Sequence, residues 1–399
     1  MPLPALADDH LEAILPALVE FRHDLHAHPE LGYQEHRTCE RVCGALDEAG
    51  IAYTSGLAGG TGIVAHLPGA ANTAVALRAD MDALPIEELT GLPWASTHEG
   101  TMHACGHDGH TAVLLGAARV LKHVSDADGL PNPVTFVFQP AEEGGGGGEK
   151  MCADGCLDGS VLGPPARAMF GLHGWPTLPL GQVSSSPGPM LAAADHFSIR
   201  LTGLGGHAAM PHLTRDPVAA AAAMIQSLQH VVARRVDPVM GGVISVTSVH
   251  GGTAFNIIPE HVELLGTLRA VFAEAQEVLR VGLHEIVELV AKAHGCTAEL
   301  DYQVGYPVTK NDAGATATYQ EVADDLVGPV NAPPFEMPVM GAEDFAYYGQ
   351  HVPACFFALG LIPPGQDAMP CVHHPLFDFT DAAIPVGVRM FCGLALRDR

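Results

Sequence analysis

The chain has 399 residues, 48% of them apolar and 16% charged, which is a globular composition with enough length for two domains and excludes a disordered chain. A formal net charge of −26 argues against a nucleic-acid partner, because phosphate binding needs clustered Lys and Arg. No apolar run approaches the roughly 20 residues of a membrane span, no basic-then-apolar leader opens the chain, and nine irregularly spaced cysteines fit reduced thiols in a cytoplasm better than a disulfide framework.

Residues 10–27 and 35–49 read as amphipathic helices, the second stopped by Gly50. Residues 73–78 form a short apolar run that predicts a strand. Residues 109–123 predict a helix with Val113, Leu114, Ala117, Val120 and Leu121 on one face. The β-rich run 134–138 predicts a buried strand, and 166–172 a weaker one. This alternation predicts an α/β domain with a mixed, largely parallel sheet and flanking helices. From about residue 190 the pattern changes. A half-buried strand at 196–201 precedes a long alanine-rich helix opened by Asp216-Pro217. Strands at 243–249 and 261–269, a helix over 273–294 and a strand over 297–304 complete a β-α-β-β-α-β order, the ferredoxin-like α+β arrangement. The α/β character then resumes, with a strand at 355–359. The expected organisation is a catalytic domain in two parts, 1–189 and 306–399, around an inserted lid or dimerisation domain at 190–305.

The segment Met102-His103-Ala104-Cys105-Gly106-His107-Asp108-Gly109-His110 concentrates metal-binding chemistry. A thiolate and an imidazole separated by one glycine suit a borderline-soft divalent ion. Three predicted strands run straight into polar residues: Asp80 and Asp82, then Gln139-Pro140-Ala141-Glu142-Glu143, then His173. Ligands gather at the carboxyl ends of parallel strands. The candidate donors are therefore Cys105, His107, Glu142 or Glu143, His173, and His373 or His374, enough for two ions. Gly144 to Gly148 fails as a phosphate loop, since Glu149 interrupts the Gly-Lys step and Met151 replaces Ser or Thr; a flexible wall beside the site is expected instead. Two other readings stay open: a metal-binding protein without turnover, and an amidase with Cys105 as nucleophile.

Five ordered motifs carry a resemblance: Met102 to Asp108, Phe138 to Gly144, Gly171-Leu172-His173, Gly205 to His212 and Val372-His373-His374-Pro375. With them the chain resembles the hippurate hydrolase and indoleacetyl-amino-acid hydrolase branch of the aminoacylase and glutamate-carboxypeptidase superfamily of two-metal hydrolases. The resemblance implies hydrolysis of an N-acyl amino acid, with two divalent ions held by Cys105 as the shared ligand and by His107, Glu143, His173 and His373. Zinc, manganese, cobalt and nickel all suit that set. It also implies Glu142 as general base and His207, from the insert, as oxyanion stabiliser, in a dimer. The wider superfamily's first His-x-Asp motif reads Arg78-Ala79-Asp80 here, so Asp80 and Asp82 are expected to support ligands rather than bind metal. Asn256 and Arg269 are candidates for the substrate carboxylate, and Glu343 and Asp344 for the site lining.

Overall fold

The structure is a computed structural model that describes residues 3–336 and 338–397. The chain forms two compact units: Met1–Gly188 with Lys310–Glu336 and Asp344–Arg399, and Pro189–Thr309 with Met337–Glu343.

The first unit is built on a seven-stranded sheet. Its order is Ala52–Leu57, Gly62–Leu67, Val134–Gln139, Ala74–Asp80, Ala166–Pro179, Ala354–Ile362, Val183–Ser184. The four strands from Val134–Gln139 to Ala354–Ile362 run parallel, and antiparallel strands flank them. Val134–Gln139 and Ala74–Asp80 are buried along their whole length, which is why they read as largely apolar runs without alternation, with Arg78, Asp80 and Gln139 buried towards their ends. Helix Ala5–Ala27 presents Ala7, Leu11, Ile14, Leu18, Phe21 and Leu25 at helical spacing to the core. It packs with Ile384–Leu396 on helix His107–Asp128. Gly116 permits that approach: a Cβ there would lie 2.8 Å from both Leu18 and Val388.

Among the departures from the sequence expectations are the first hairpin, the helices Ala313–Leu326 and Ile384–Leu396, and the strand that carries His173. The hairpin Ala52–Leu57 and Gly62–Leu67 was without a clear signal, because its first strand is polar and largely exposed. The strand opening at Ala166 does not stop at Leu172 but continues to Pro179, so His173 lies within it, in register with Ala358.

The second unit has the order Ala193–Thr202, Pro217–Arg235, Val243–Gly251, His261–Ala270, Ala273–Ala293, Thr297–Tyr306. Its four strands pair antiparallel in the order Val243–Gly251, His261–Ala270, Ala193–Thr202, Thr297–Tyr306, the ferredoxin-like arrangement. The Asp216 side chain accepts hydrogen bonds from Val218 and Ala219, capping the helix whose first residue is Pro217. Ile199, Leu201, Met224, Leu228, Leu264, Leu268, Leu279 and Leu283 fill a core between helices and sheet. Among the described residues, no helix is long and apolar enough to cross a membrane.

Candidate metal centre

The parallel strands of the first unit deliver the polar residues to one end of the sheet. Asp80 ends one strand and Asp82 follows it; Glu142 and Glu143 follow Gln139 at the end of another. Gly106, at φ 88, turns the chain between Cys105 and His107, the first residue of a buried helix. His373 comes from the loop after Ala354–Ile362. Its φ of 64 lies in the left-handed region, and its N–H is bonded to the Ala104 carbonyl at 2.7 Å. A non-glycine residue held in that region requires support from its surroundings.

Two groups of three donors share Cys105, and others join Asp80, His107 and His110, and His107, Glu142 and Glu143. The ligand atoms of Cys105, His107 and His173 lie within 4.8 Å of one another, as do those of Cys105, Glu143 and His373. Cys105 Sγ is 3.3 Å from His173 Nε2, and His373 Nε2 is 3.0 Å from Glu143 Oε1. The hydrogen bonds also select tautomers. His173 Nδ1 donates to the Gly174 carbonyl at 2.8 Å, which leaves the Nε2 lone pair facing Cys105. His107 Nδ1 faces Asp82 Oδ1 at 3.2 Å, and its buried Nε2 makes no hydrogen bond but lies 3.7 Å from Asp80 Oδ2. An imidazole fixed at one nitrogen by a carboxylate or carbonyl and without a hydrogen bond at the other is the usual preparation for a metal.

Electrostatics favour a cation here. Burial alone would lower the His107 pKa, but Asp80 and Asp82 outweigh it and hold it up at about 10. Burial, followed by Glu143, Glu142 and Asp80, pushes the Cys105 thiol well above its ordinary range. Burial, followed by His110, brings His173 down to about 3, so it stays neutral and able to ligate. The pocket thus attracts positive charge and offers soft and borderline donors. The donor set, the orphaned His107 Nε2 and this charge balance fit two divalent cations, each bound by displacing protons.

The remaining candidates take varied positions. Glu142 is buried, its ligand atom within 4.8 Å of those of His107 and Glu143, and its Oε1 accepts the Asp344 N–H at 3.4 Å. His374 belongs to none of the donor groups among the described residues, and its Nδ1 accepts the Leu376 N–H at 3.1 Å. Asp344 is fully buried, 3.0 Å from the equally buried Arg78, accepts the Gly148 N–H at 2.8 Å, and has a ligand atom within 4.8 Å of that of Glu142. Glu343 belongs to the second unit. The flexible glycine wall is also corrected: helix Gly147–Ala153 begins inside it, and a Cβ on Gly147 would lie 1.6 Å from the Pro140 carbonyl oxygen. Gly145, Gly147 and Gly148 allow close packing.

In the second unit, His207 pairs with Ile257 in a short two-stranded ribbon, and the Asn256 carbonyl accepts the Ala208 N–H at 3.0 Å. His207 Nδ1 accepts the Ala209 N–H at 3.0 Å, so its proton is on Nε2. Arg269 lies in strand His261–Ala270 with a buried Nη1 that has no hydrogen-bond partner.

Sequence reasoning missed His110, whose Nδ1 is 2.7 Å from Asp80 and whose Nε2 accepts the Gly174 N–H at 2.8 Å, fixing the backbone beside His173. It also missed the buried cluster of Arg22, His26 and Asp108 behind His107; the only signal was Arg22 and His26 one turn apart on the core face of a helix.

Comparison with known proteins agrees with this geometry. The chain is 38% identical to IAA-amino acid hydrolase ILR1-like 4 of Arabidopsis thaliana, over 95% of this chain and 85% of that one. It is also 38% identical to N-acetyl-L-cysteine deacetylase of Bacillus subtilis, over 94% of this chain and 86% of that one. Among solved structures, the Bacillus subtilis YXEP protein, described as a dinuclear metal binding peptidase, superposes with a TM-score of 0.80 at 34% identity, covering 96% of this chain and 98% of its own. Residues 76–397 match Peptidase family M20/M25/M40. The chain belongs to that family, in its amidohydrolase branch, and is a metal-dependent hydrolase.

Proposed function

We propose that this protein hydrolyses the amide bond of N-acyl amino acids, releasing a carboxylic acid and a free amino acid. The observation that carries the reading is the pair of three-donor groups sharing Cys105, with the carboxylate of Glu142 beside them. Cys105, His107 and His173 would hold one divalent ion, and Cys105, Glu143 and His373 a second. Bound there, such ions supply polarisation of the amide carbonyl and acidification of water.

The chain's own groups do the rest. Glu142 accepts a proton from the attacking water and returns it to the leaving amine. His207, with its proton on Nε2, is the donor for the developing oxyanion. Arg269, with its unsatisfied Nη1, and Asn256 are the groups we assign to the substrate carboxylate. The relatives named for indoleacetyl-amino-acid hydrolysis and N-acetylcysteine deacetylation both act on an acylated amino acid, which supports this substrate class.

A thiol mechanism is disfavoured. Burial and three carboxylates oppose ionisation of Cys105, and His173, the imidazole beside it, is too weak a base to take its proton. A store without turnover would have no use for Glu142. We further expect self-association through the insert, whose sheet has Val243–Gly251 and Thr297–Tyr306 at its edges. Nine free cysteines fit a reducing, cytoplasmic setting.

The substrate class is tested with metal-loaded protein on acetyl, benzoyl and indoleacetyl amino acids and on matched amides that lack the α-carboxylate. The expected result is amino-acid release from at least one acyl series and a loss on the order of 100-fold without the carboxylate. Equal turnover of both sets would overturn the assignment.

A further inference from the structure

We propose that Trp175, backed by Phe335, determines the acyl specificity of this protein by packing against the substrate's acyl group and favouring a planar aromatic one over acetyl. The inference rests on the N-acyl amino acid reading above and names the acyl class that reading leaves open. Trp175 lies two residues beyond His173 on strand Ala166–Pro179. Side chains two apart on a strand share a face. The burial pattern agrees, with Leu172, Gly174 and Pro176 buried and His173 and Trp175 half-buried between them. The indole therefore stands on the face from which His173 turns its Nε2 towards Cys105. Its centroid is 5.9 Å from that of the imidazole, with the ring planes at 81°. Phe335 meets the same indole from a distant segment of chain, with centroids 5.3 Å apart and planes again at 81°. Both contacts have the edge-to-face geometry that aromatic rings prefer.

This aromatic surface is fixed before any ligand arrives. Strand Ala166–Pro179 pairs with Ala354–Ile362 in parallel, with Trp175 opposite Gly360. The Phe335 N–H donates to the Ser185 carbonyl at 3.1 Å, and its carbonyl accepts the Ser186 hydroxyl at 2.9 Å. Rings held in this way lose little freedom when a ligand packs on them. Both are only half-buried, so each keeps apolar surface exposed. Hydrolysis places the scissile carbonyl at the ions, and the acyl substituent extends from that carbon. A methyl group ends there. An aryl group extends by the width of a ring, the scale that separates the His173 and Trp175 centroids. The α-carboxylate, at the other end of the substrate, is assigned above to Arg269 and Asn256, which leaves the acyl end to these rings.

The test compares kcat/KM for N-benzoylglycine, N-indoleacetylglycine, N-cyclohexanecarbonylglycine and N-acetylglycine. The proteins are metal-loaded wild type, Trp175→Ala and Phe335→Ala, with metal content and melting temperature measured alongside. In wild type, at least one aromatic substrate is expected to exceed both the cyclohexane and the acetyl compound, the latter by about 10-fold or more. Trp175→Ala is expected to lower that aromatic-to-acetyl ratio by about 10-fold, and Phe335→Ala by a smaller factor, both with two ions retained. A merely structural role would lower the melting temperature and the rates on all four substrates alike, and an unchanged ratio would overturn the inference. So would a Trp175→Ala effect that varies with the amino acid rather than the acyl group. If the variants do not fold, a crystal structure of metal-loaded wild type with benzoate decides: a phenyl ring within about 4 Å of Trp175 supports the inference, and a ring bound elsewhere overturns it. Wild type that hydrolyses no N-acyl amino acid would overturn the proposed function and this inference together; wild type that turns over acetyl as well as the aromatic substrates would overturn this inference alone.

Discussion

Cys105 Sγ stands 3.3 Å from His173 Nε2, and the same sulfur belongs to both three-donor groups. A ligand shared by two ions cannot be lost without disturbing both. Cys105→Ala is expected to cut metal content below one ion per chain and turnover by at least about 100-fold. Metal analysis and an alkylation assay check this. Bound metal should protect Cys105 from iodoacetamide in the wild type. Full metal content in the variant would contradict the sharing.

Glu142 and Glu143 are adjacent in the chain, but only Glu143 belongs to the group containing Cys105 and His373. Glu142→Gln is expected to keep both ions and lose turnover by about 10²- to 10⁴-fold, the range for a general base. Glu143→Ala is expected to lose metal. Steady-state rates with metal analysis on both variants separate these roles; near-normal turnover of Glu142→Gln would remove it as the base.

His207 is exposed in its own unit, and no core packing depends on it. His207→Ala should therefore leave the melting temperature and metal content unchanged. If its Nε2–H stabilises the oxyanion, kcat falls by about 10²- to 10³-fold. A change confined to KM would instead indicate a binding role.

A pH dependence of stability follows from the cluster behind His107. Burial alone would lower the His26 pKa, but Asp108, 2.9 Å from Nδ1, and Glu88 outweigh it and raise the value to about 9. A folded value above the ordinary 6.5 means that this stabilisation is fully present below about pH 6.5 and is lost as pH rises through about 9. The melting temperature is expected to fall over that window. His26→Gln should be less stable near neutral pH and show a shallower slope. Identical slopes for the two proteins would contradict the assignment.

Much of this architecture was legible in the sequence because of burial. Val134 to Phe138, apart from Thr135, and Ala74 to Leu77 are apolar since both faces of the sheet are covered, and Asp80 and Gln139 are polar where the strands end. The insert was legible from the opposite pattern: His261–Ala270 alternates exposed and buried residues on a sheet with one covered face. Helix Ile384–Leu396 gave no usable period, because Pro385 and Gly387 interrupt it and nearly every face is buried. At the site, residue types and motif order pointed to the donors, but their grouping depends on features with no local signature. The φ of 64 at His373, the buried pair of Arg78 and Asp344, and the two amides gathered by Asp82 join residues far apart in the chain. The run from Gly144 to Gly148 misled for a related reason. Glycine permits both flexibility and close approach, and only the position of Pro140 shows which applies at Gly147.

The central claim is metal-dependent hydrolysis of an N-acyl amino acid, and one reconstitution assay tests it most directly. Glycine release from N-benzoylglycine, with N-acetyl and indoleacetyl amino acids in parallel, is followed in chelated protein and in protein reloaded with zinc, manganese or cobalt. The account predicts negligible release without metal and turnover on at least one of these substrates once about two ions per chain are restored. Turnover that is the same with and without chelator would contradict it.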